Sequence, residues 1–241
     1  MRDYPDACNV ANTSGSLVND TINTVLDIYQ LFEAAVKSHS TILFYLDFIS
    51  PFSYLANVKL PELAARYRAE LVYLPLDVMR AKLAIGNFAP STRAMPGKRN
   101  FILRDRLWWA QQHGVSMQTP PAFSAPRLNA GMLYAQECGC VRNYVDTAFH
   151  HVWGLGGDPD DDELLAAVVR QTGLDPEAYF SYVNAVETRE RVAAIAGDAA
   201  SRGVFGVPTM IVGDEMFWGN DRLDFLEECL ESNTQETNDV S

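Results

Sequence analysis

Four short stretches carry residue types that could do chemistry, and the first is Ser50-Pro51-Phe52-Ser53. The two serines have the spacing of a Cys-x-x-Cys redox pair, with oxygen in place of both sulfurs. Ser50 lies between an apolar strand and a helix opened by Pro51, a position typical of an N-cap. The same geometry gathers free backbone N–H groups and the positive end of the helix dipole, which stabilise anions. The sequence leaves both interpretations of Ser50 open.

The second stretch is Gly206-Val207-Pro208-Thr209, just before a predicted strand. One interpretation is an edge strand that begins with a proline. The other is a cis peptide bond before Pro208, which would leave the amide and carbonyl of Val207 free to pair with a peptide-like ligand. The second interpretation requires this loop to face Ser50.

The third stretch is Trp218-Gly219-Asn220-Asp221-Arg222, where a strand turns into a helix. Asn220 could simply cap that helix above an acidic first turn. Alternatively, the amides of the helix N-terminus could hold a carboxylate while Asp221 accepts an ammonium group. A ligand with an α-amino acid end would satisfy both contacts.

The fourth stretch runs from Lys82 through Asn87 to Thr92 and Arg93. These cations and polar groups stand out in an acidic chain and could receive an anionic substrate. A solvated surface segment is the alternative interpretation.

The elements that must position these residues follow from hydrophobic periodicity and turn residues. Strands are predicted at 41–46 and 70–75 with a helix at about 51–68 between them, so the two strands should be parallel. Gly213-Asp214 joins short strands at 209–212 and 215–218 in a hairpin. The predicted helices lie at 101–113, 129–138, 143–153, 162–172, 176–182, 188–202 and 220–232.

This order predicts an α/β protein with a thioredoxin-like fold. An all-helical insertion separates its βαβ half from its C-terminal β-hairpin–helix half. We expect the thioredoxin-like domain to comprise 41–77 and 203–232, and the insertion 78–202. A polar tail at 233–241 follows, and an N-terminal extension at 1–40, with a predicted helix at 21–37, precedes them.

The composition excludes several classes of protein. The chain has 241 residues, 48% of them apolar, and a net charge of −12, which argues against a nucleic-acid partner. Four cysteines in a chain of this length do not form a disulfide framework, and no metal site is expected. No apolar run reaches membrane-spanning length and no signal peptide is evident, so the sequence predicts a cytoplasmic protein without a membrane partner.

Together the motifs resemble a known family. The matching segments are Asp47-Phe-Ile-Ser-Pro-Phe-Ser-Tyr-Leu-Ala-Asn57, Lys82 with Ile85-Gly-Asn87, Val204-Phe-Gly-Val-Pro-Thr209 and Phe217-Trp-Gly-Asn-Asp-Arg-Leu223. In order and spacing they are similar to the DsbA-like family that includes the kappa-class glutathione transferases and the 2-hydroxychromene-2-carboxylate isomerases. The similarity spans about 41–230.

The resemblance implies glutathione as cofactor, a small aromatic carboxylate as substrate and a homodimer. Ser50 would then face the glutathione sulfur in place of the cysteine of related oxidoreductases. Val207 would pair with the cysteinyl backbone, with Pro208 as a further glutathione-binding residue, and Trp218 to Asp221 would bind the γ-glutamyl end. The implied substrate-binding residues are Lys82, Asn87, Thr92, Arg93 and Phe123. Thr92 replaces an expected Asn and Phe123 an expected Tyr, which puts the identity of the aromatic ring in question.

The resemblance also implies a reaction. The expected activity is glutathione-dependent cis–trans isomerisation of 2-hydroxychromene-2-carboxylate to trans-o-hydroxybenzylidenepyruvate, through reversible thiolate addition, ring opening, rotation and elimination, in the catabolism of aromatic hydrocarbons such as naphthalene. Glutathione transfer to electrophiles is the alternative. A disulfide oxidoreductase is disfavoured because neither position 50 nor position 53 is a cysteine. A binding module without turnover is a further possibility.

Overall fold

The computed structural model describes residues 41–78, 81–82, 86 and 94–239. The N-terminal extension with its predicted helix at 21–37 lies outside these residues. Asn87, Thr92 and Arg93 lie outside them as well.

A mixed four-stranded sheet with the order β2-β1-β3-β4 forms the centre of the fold. Strands β1 (Thr41–Leu46) and β2 (Glu70–Pro75) are parallel, with helix α1 (Pro51–Arg66) as the crossover. Strands β3 (Thr209–Val212) and β4 (Glu215–Trp218) form a hairpin, and β3 pairs antiparallel with β1. All four strands have the bounds predicted from the sequence, which confirms the parallel pair and the hairpin.

The two inner strands explain why their sequences are continuously apolar. All six residues of β1 and all four of β3 are buried, because each strand has neighbours on both edges and side chains packed on both faces. The interpretation of Thr209 as the start of an edge strand is therefore wrong. Pro208 precedes β3 and so removes no hydrogen bond from the sheet.

Eight α-helices occur in the described part of the chain, six of them between β2 and β3. A π-helical turn at His150–Gly154 and a 3₁₀ turn at Asn220–Arg222 precede α5 and α8, respectively. The remaining helices are α2 (Pro96–His113), α3 (Pro126–Glu137), α4 (Val141–Phe149), α5 (Asp162–Thr172), α6 (Pro176–Asn184), α7 (Val186–Ser201) and α8 (Leu223–Asp239).

Several helix ends differ from prediction, and two differ by five residues or more. Helix α2 begins at Pro96, five residues before the expected start, because a proline at the first helical position needs no hydrogen-bond partner. Helix α8 continues to Asp239, through the segment predicted as a polar tail after residue 232. That segment lacks a proline or glycine, so nothing in its sequence ends the helix.

The core lies on both faces of the sheet, and β1 divides its side chains between them. Ile42, Phe44 and Leu46 pack with residues of α1 and α3 to α6. Leu43 and Tyr45 face the other side, where α7 contributes Ile195, Ala196 and Ala199. Among the described helices, none combines the length and apolarity that crossing a bilayer demands.

Candidate active site

Ser50 lies where the turn after β1 meets the first residue of α1. Its backbone is extended (φ −95°, ψ 115°), and its Oγ accepts a hydrogen bond of 3.2 Å from the backbone N–H of Ser53. The N-cap interpretation is thereby confirmed. A hydroxyl that accepts one bond still has a proton to donate. That proton has no acceptor among the described residues, so the cap does not preclude a second contact.

Ser53 is fully buried. Its hydroxyl oxygen has no hydrogen-bond partner among the described residues. Only its backbone N–H takes part in the turn, through the cap. The two serines are therefore not equivalent, and Ser50 is the one that lies at the helix N-terminus.

The peptide bond between Val207 and Pro208 is cis, which is the second of the two interpretations of this loop. Tyr45 pairs with Thr209, so continuing the antiparallel register sets Val207 opposite Asp47, at the end of the sheet where the Ser50 turn begins. This loop therefore enters the sheet at the end where the Ser50 turn leaves it. The N–H and C=O of Val207 make no hydrogen bond with the described residues and remain available to a ligand.

The segment after β4 is joined to the same loop. The Gly219 N–H donates a 3.0 Å hydrogen bond to the carbonyl of Pro208. Gly219 has φ +113°, and a Cβ there would collide with Oδ1 of Asp221, so glycine is needed. At Gly206 a Cβ would lie 2.8 Å from Nε1 of Trp218, whose indole is therefore close to the loop backbone.

Asn220 is not a helix cap. It is the first residue of the 3₁₀ turn. The N-cap position belongs to Gly219, which has no side chain to accept a capping hydrogen bond. Asn220 is 5% exposed, and its Nδ2 has no partner among the described residues. The capping interpretation is therefore wrong, and Asn220 brings a buried, unpaired donor to this part of the site.

A cavity of about 280 Å³ opens beside Asn220, between α1, α2 and the start of α8. His113 contributes a buried Nε2 without a partner among the described residues. Burial lowers the pKa of His113, and the charge of Lys59 lowers it further. The pKa of nearby Asp105 is raised by burial and by the charge of Asp221. The cavity lining carries both signs of charge, including Lys59, Glu62, Arg66, Asp221, Asp224 and Glu227.

The predicted substrate residues are placed only in part. Lys82 is half-buried and forms no ion pair with the described residues. Phe123 is 38% exposed, with its ring centroid 6.3 Å from that of Trp153. Trp153 in turn donates from Nε1 to the carbonyl of Phe48, at 2.8 Å, so Phe123 lies near the Ser50 turn.

Three buried polar residues support this turn and were not singled out from the sequence. Asp47 is 2% exposed and accepts hydrogen bonds from Asn129 and from two backbone N–H groups. Burial raises its pKa to about 6, against the lowering effect of those bonds. Arg106, 7% exposed, lies over the ring of Trp153 and bonds to Thr119. Asp47 stood inside a quoted motif, whereas Asn129 and Arg106 carried no motif signal.

The family model of the DSBA-like thioredoxin domain matches residues 41–231. The chain belongs to this DsbA-like family. It is 42% identical over 190 residues to a 2-hydroxychromene-2-carboxylate isomerase of Sphingobium xenophagum, covering 79% of this chain and 97% of the relative. It is 39% identical over 198 residues to the isomerase of the same name from Pseudomonas putida, covering 82% and 98%.

Solved structures show the same likeness. A 2-hydroxychromene-2-carboxylate isomerase superposes with a TM-score of 0.79 at 39% identity, covering 83% of this chain and 99% of that one. A probable DsbA oxidoreductase from Streptomyces coelicolor gives a TM-score of 0.63 at 19% identity, over 81% and 90% of the two chains, and shares the fold. The predicted thioredoxin-like fold is confirmed.

Proposed function

We propose that this protein isomerises 2-hydroxychromene-2-carboxylate, or a close aromatic analogue, to trans-o-hydroxybenzylidenepyruvate with glutathione as cofactor. The isomerase activity is supported by relatives of that name at about 40% identity over nearly their whole length. The observation that carries the glutathione dependence is a buried serine at a helix N-terminus beside a cis-proline loop. A helix N-terminus stabilises an anion, and serine supplies a donor without forming a disulfide.

The residues present fit glutathione. The unpaired N–H and C=O of Val207 match the extended backbone of a tripeptide, as a further strand would. Asn220 offers a buried donor, and the carboxylate of Asp221 lies beside it, next to the cavity. A ligand end that carries both a carboxylate and an ammonium group satisfies this pair. The donor set is therefore consistent with the γ-glutamyl group in the cavity and the cysteinyl group at Val207.

When bound, glutathione supplies a thiolate nucleophile that can add reversibly to a conjugated double bond and free it for rotation. Ser50 would donate its hydroxyl proton towards the sulfur while its oxygen keeps the cap bond to Ser53. The first-turn amides of α1 and its dipole would add to this stabilisation. Lowering a thiol pKa from about 8.5 to about 6.5 needs roughly 3 kcal/mol, which one charge-assisted hydrogen bond and a helix dipole can supply.

The chain's own cations would hold the substrate. Lys82 is half-buried, and its ammonium would pair with the chromene carboxylate. From the resemblance, Arg93, Asn87 and Thr92 act with it. Phe123, next to Trp153, would face the aromatic ring.

Ultraviolet spectroscopy of purified protein with 2-hydroxychromene-2-carboxylate tests the proposal. We expect conversion to the benzylidenepyruvate that requires catalytic glutathione and consumes none. S-methylglutathione is the matched control, since it keeps the tripeptide but blocks the thiol, and it should not support turnover. Full activity of thiol-free protein would refute the cofactor assignment. Rapid adduct formation with a chlorinated dinitrobenzene, without chromene turnover, would favour glutathione transfer instead.

A further inference from the structure

We propose that Asp47 and Asn129 are positioning residues that hold the two halves of the active site in register. One half is the turn that presents Ser50, and the other is the segment that leads to Lys82. This inference rests on the proposed function, because it assigns the thiol to the first half and the substrate carboxylate to the second.

The two carboxylate oxygens of Asp47 serve different halves. Oδ1 accepts from the Ile49 N–H at 3.2 Å and from Nδ2 of Asn129 at 3.1 Å, both on the side of the Ser50 turn. Oδ2 accepts from the Val78 N–H at 3.1 Å. Val78 precedes Lys82 by one helical turn in sequence, so this single side chain bridges both halves.

Asn129, on helix α3, makes further hydrogen bonds to the same turn. It is 2% exposed and lies in the first turn of α3. Its Oδ1 accepts from the Phe48 N–H at 3.4 Å, while its Nδ2 donates to Asp47. Trp153 fixes the Phe48 carbonyl at 2.8 Å. These side chains thus hold three backbone groups of the turn in fixed orientations: the Phe48 N–H, the Phe48 carbonyl and the Ile49 N–H.

Replacing Asp47 with asparagine separates the two halves, because the amide has one acceptor where the carboxylate has two. With its oxygen towards Ile49 and Asn129, the new side chain keeps two hydrogen bonds. Its NH₂ group then faces the Val78 N–H, donor against donor. The reverse orientation keeps one bond and loses two. Asp47→Asn should therefore release Val78 and leave the Ser50 turn held. Asn129→Ala should instead loosen the Ser50 turn and leave the Val78 N–H bound to Asp47.

The test compares Asp47→Asn and Asn129→Ala with Asp146→Asn. Asp146 is the matched control, because it also accepts a hydrogen bond from a buried asparagine, Asn57, at 2.6 Å, but joins α1 to α4 away from the turn. Three quantities are measured: KM for the chromene, the glutathione dissociation constant by calorimetry, and hydrogen exchange of the Val78 and Phe48 amides by NMR. The exchange and calorimetric measurements need no turnover.

For Asp47→Asn we expect a KM raised about tenfold or more, Val78 exchange accelerated at least about tenfold, and glutathione affinity within about twofold of wild type. Asn129→Ala should instead accelerate Phe48 exchange, because Asn129 accepts from that N–H, and weaken glutathione binding. Asp146→Asn should change none of these. Equal effects of Asp47→Asn on both halves, or on neither, would overturn the positioning role. Absence of turnover in the wild type would refute the proposed function, while the exchange pattern would still decide whether Asp47 holds the two segments separately.

Discussion

Replacing Ser50 with alanine separates the two roles that its hydroxyl can play. As the N-cap of α1, it accepts from the Ser53 N–H, and losing this bond should lower the free energy of unfolding by ~1 kcal/mol. As a donor to a bound thiolate, it makes a charge-assisted hydrogen bond of about 1.5–3 kcal/mol. Its loss should raise the pKa of the bound thiol by roughly one to two units.

These shifts translate into a pH-dependent rate. A thiol with a pKa near 6.5 is about 75% ionised at pH 7, whereas one with a pKa of about 7.5 to 8.5 is roughly 24% to 3% ionised. Turnover by Ser50→Ala at pH 7 should therefore fall about 3- to 25-fold if it follows the thiolate population. Near pH 9 both proteins would be largely ionised, so most of the difference should disappear.

Ser53→Ala is the matched control, because it removes the neighbouring buried hydroxyl. This hydroxyl has no partner among the described residues, and alanine favours a helix, so we expect stability to be unchanged or up to ~1 kcal/mol higher. The backbone N–H that donates to Ser50 remains. The pKa of the bound thiol should not change.

Thiolate absorbance, titrated with glutathione bound to each protein, measures the pKa, and urea denaturation measures stability. If Ser50→Ala loses stability but keeps the wild-type titration midpoint, Ser50 is only a helix cap and the proposed donor role is wrong. A midpoint that also moves in Ser53→Ala would show that the shift comes from disturbing the helix rather than from the Ser50 proton.

Other variants test other parts of the site. Lys82→Ala and Arg93→Ala should each raise KM for the chromene about 10- to 150-fold, with glutathione affinity by calorimetry unchanged. Gly219→Ala should cost about 1–3 kcal/mol in urea denaturation and weaken glutathione binding, because φ there is +113° and the Cβ meets Asp221. Burial raises the pKa of Asp47 from 3.8 to about 6, so the native state binds this proton more tightly than the unfolded state does. Wild-type stability relative to Asp47→Asn should therefore fall by about 3 kcal/mol between about pH 4 and about pH 6.

Strands and turns were the most predictable features. The four strands have the predicted bounds because each is a short apolar run between residues that break or turn the chain, such as Pro75 or Gly213-Asp214. The cis bond at Pro208 was one of two interpretations that the sequence allowed for a proline directly before a strand. These signals are local: each lies within a few consecutive residues, so it can be recognised without knowing the fold.

Contacts between distant segments were not predictable in the same way. Asp47 and Asn129 are 82 positions apart, and Phe48 and Trp153 are 105 apart, yet both pairs build the turn at Ser50. Their partners depend on how the helices between β2 and β3 fold back onto the sheet. The unpaired amide of Asn220 was not predictable either, because an asparagine between a strand and a helix is equally compatible with a helix cap and with a buried donor.

The two parts of the proposed site differ in charge. The cavity beside Asn220 is lined by four carboxylates, Asp221 among them, against Lys59 and Arg66, so the acidic groups outnumber the cations and suit an ammonium end of glutathione. Asp47 ties the turn to Val78, and Lys82 follows in a chain of net charge −12. An anionic substrate would be repelled by the acidic cavity and attracted by Lys82. With glutathione bound through Val207, its sulfur would then lie at Ser50, between its own charged end and the substrate carboxylate. The two ligands would thus be distinguished by charge, with the Ser50 hydroxyl at the sulfur that reacts.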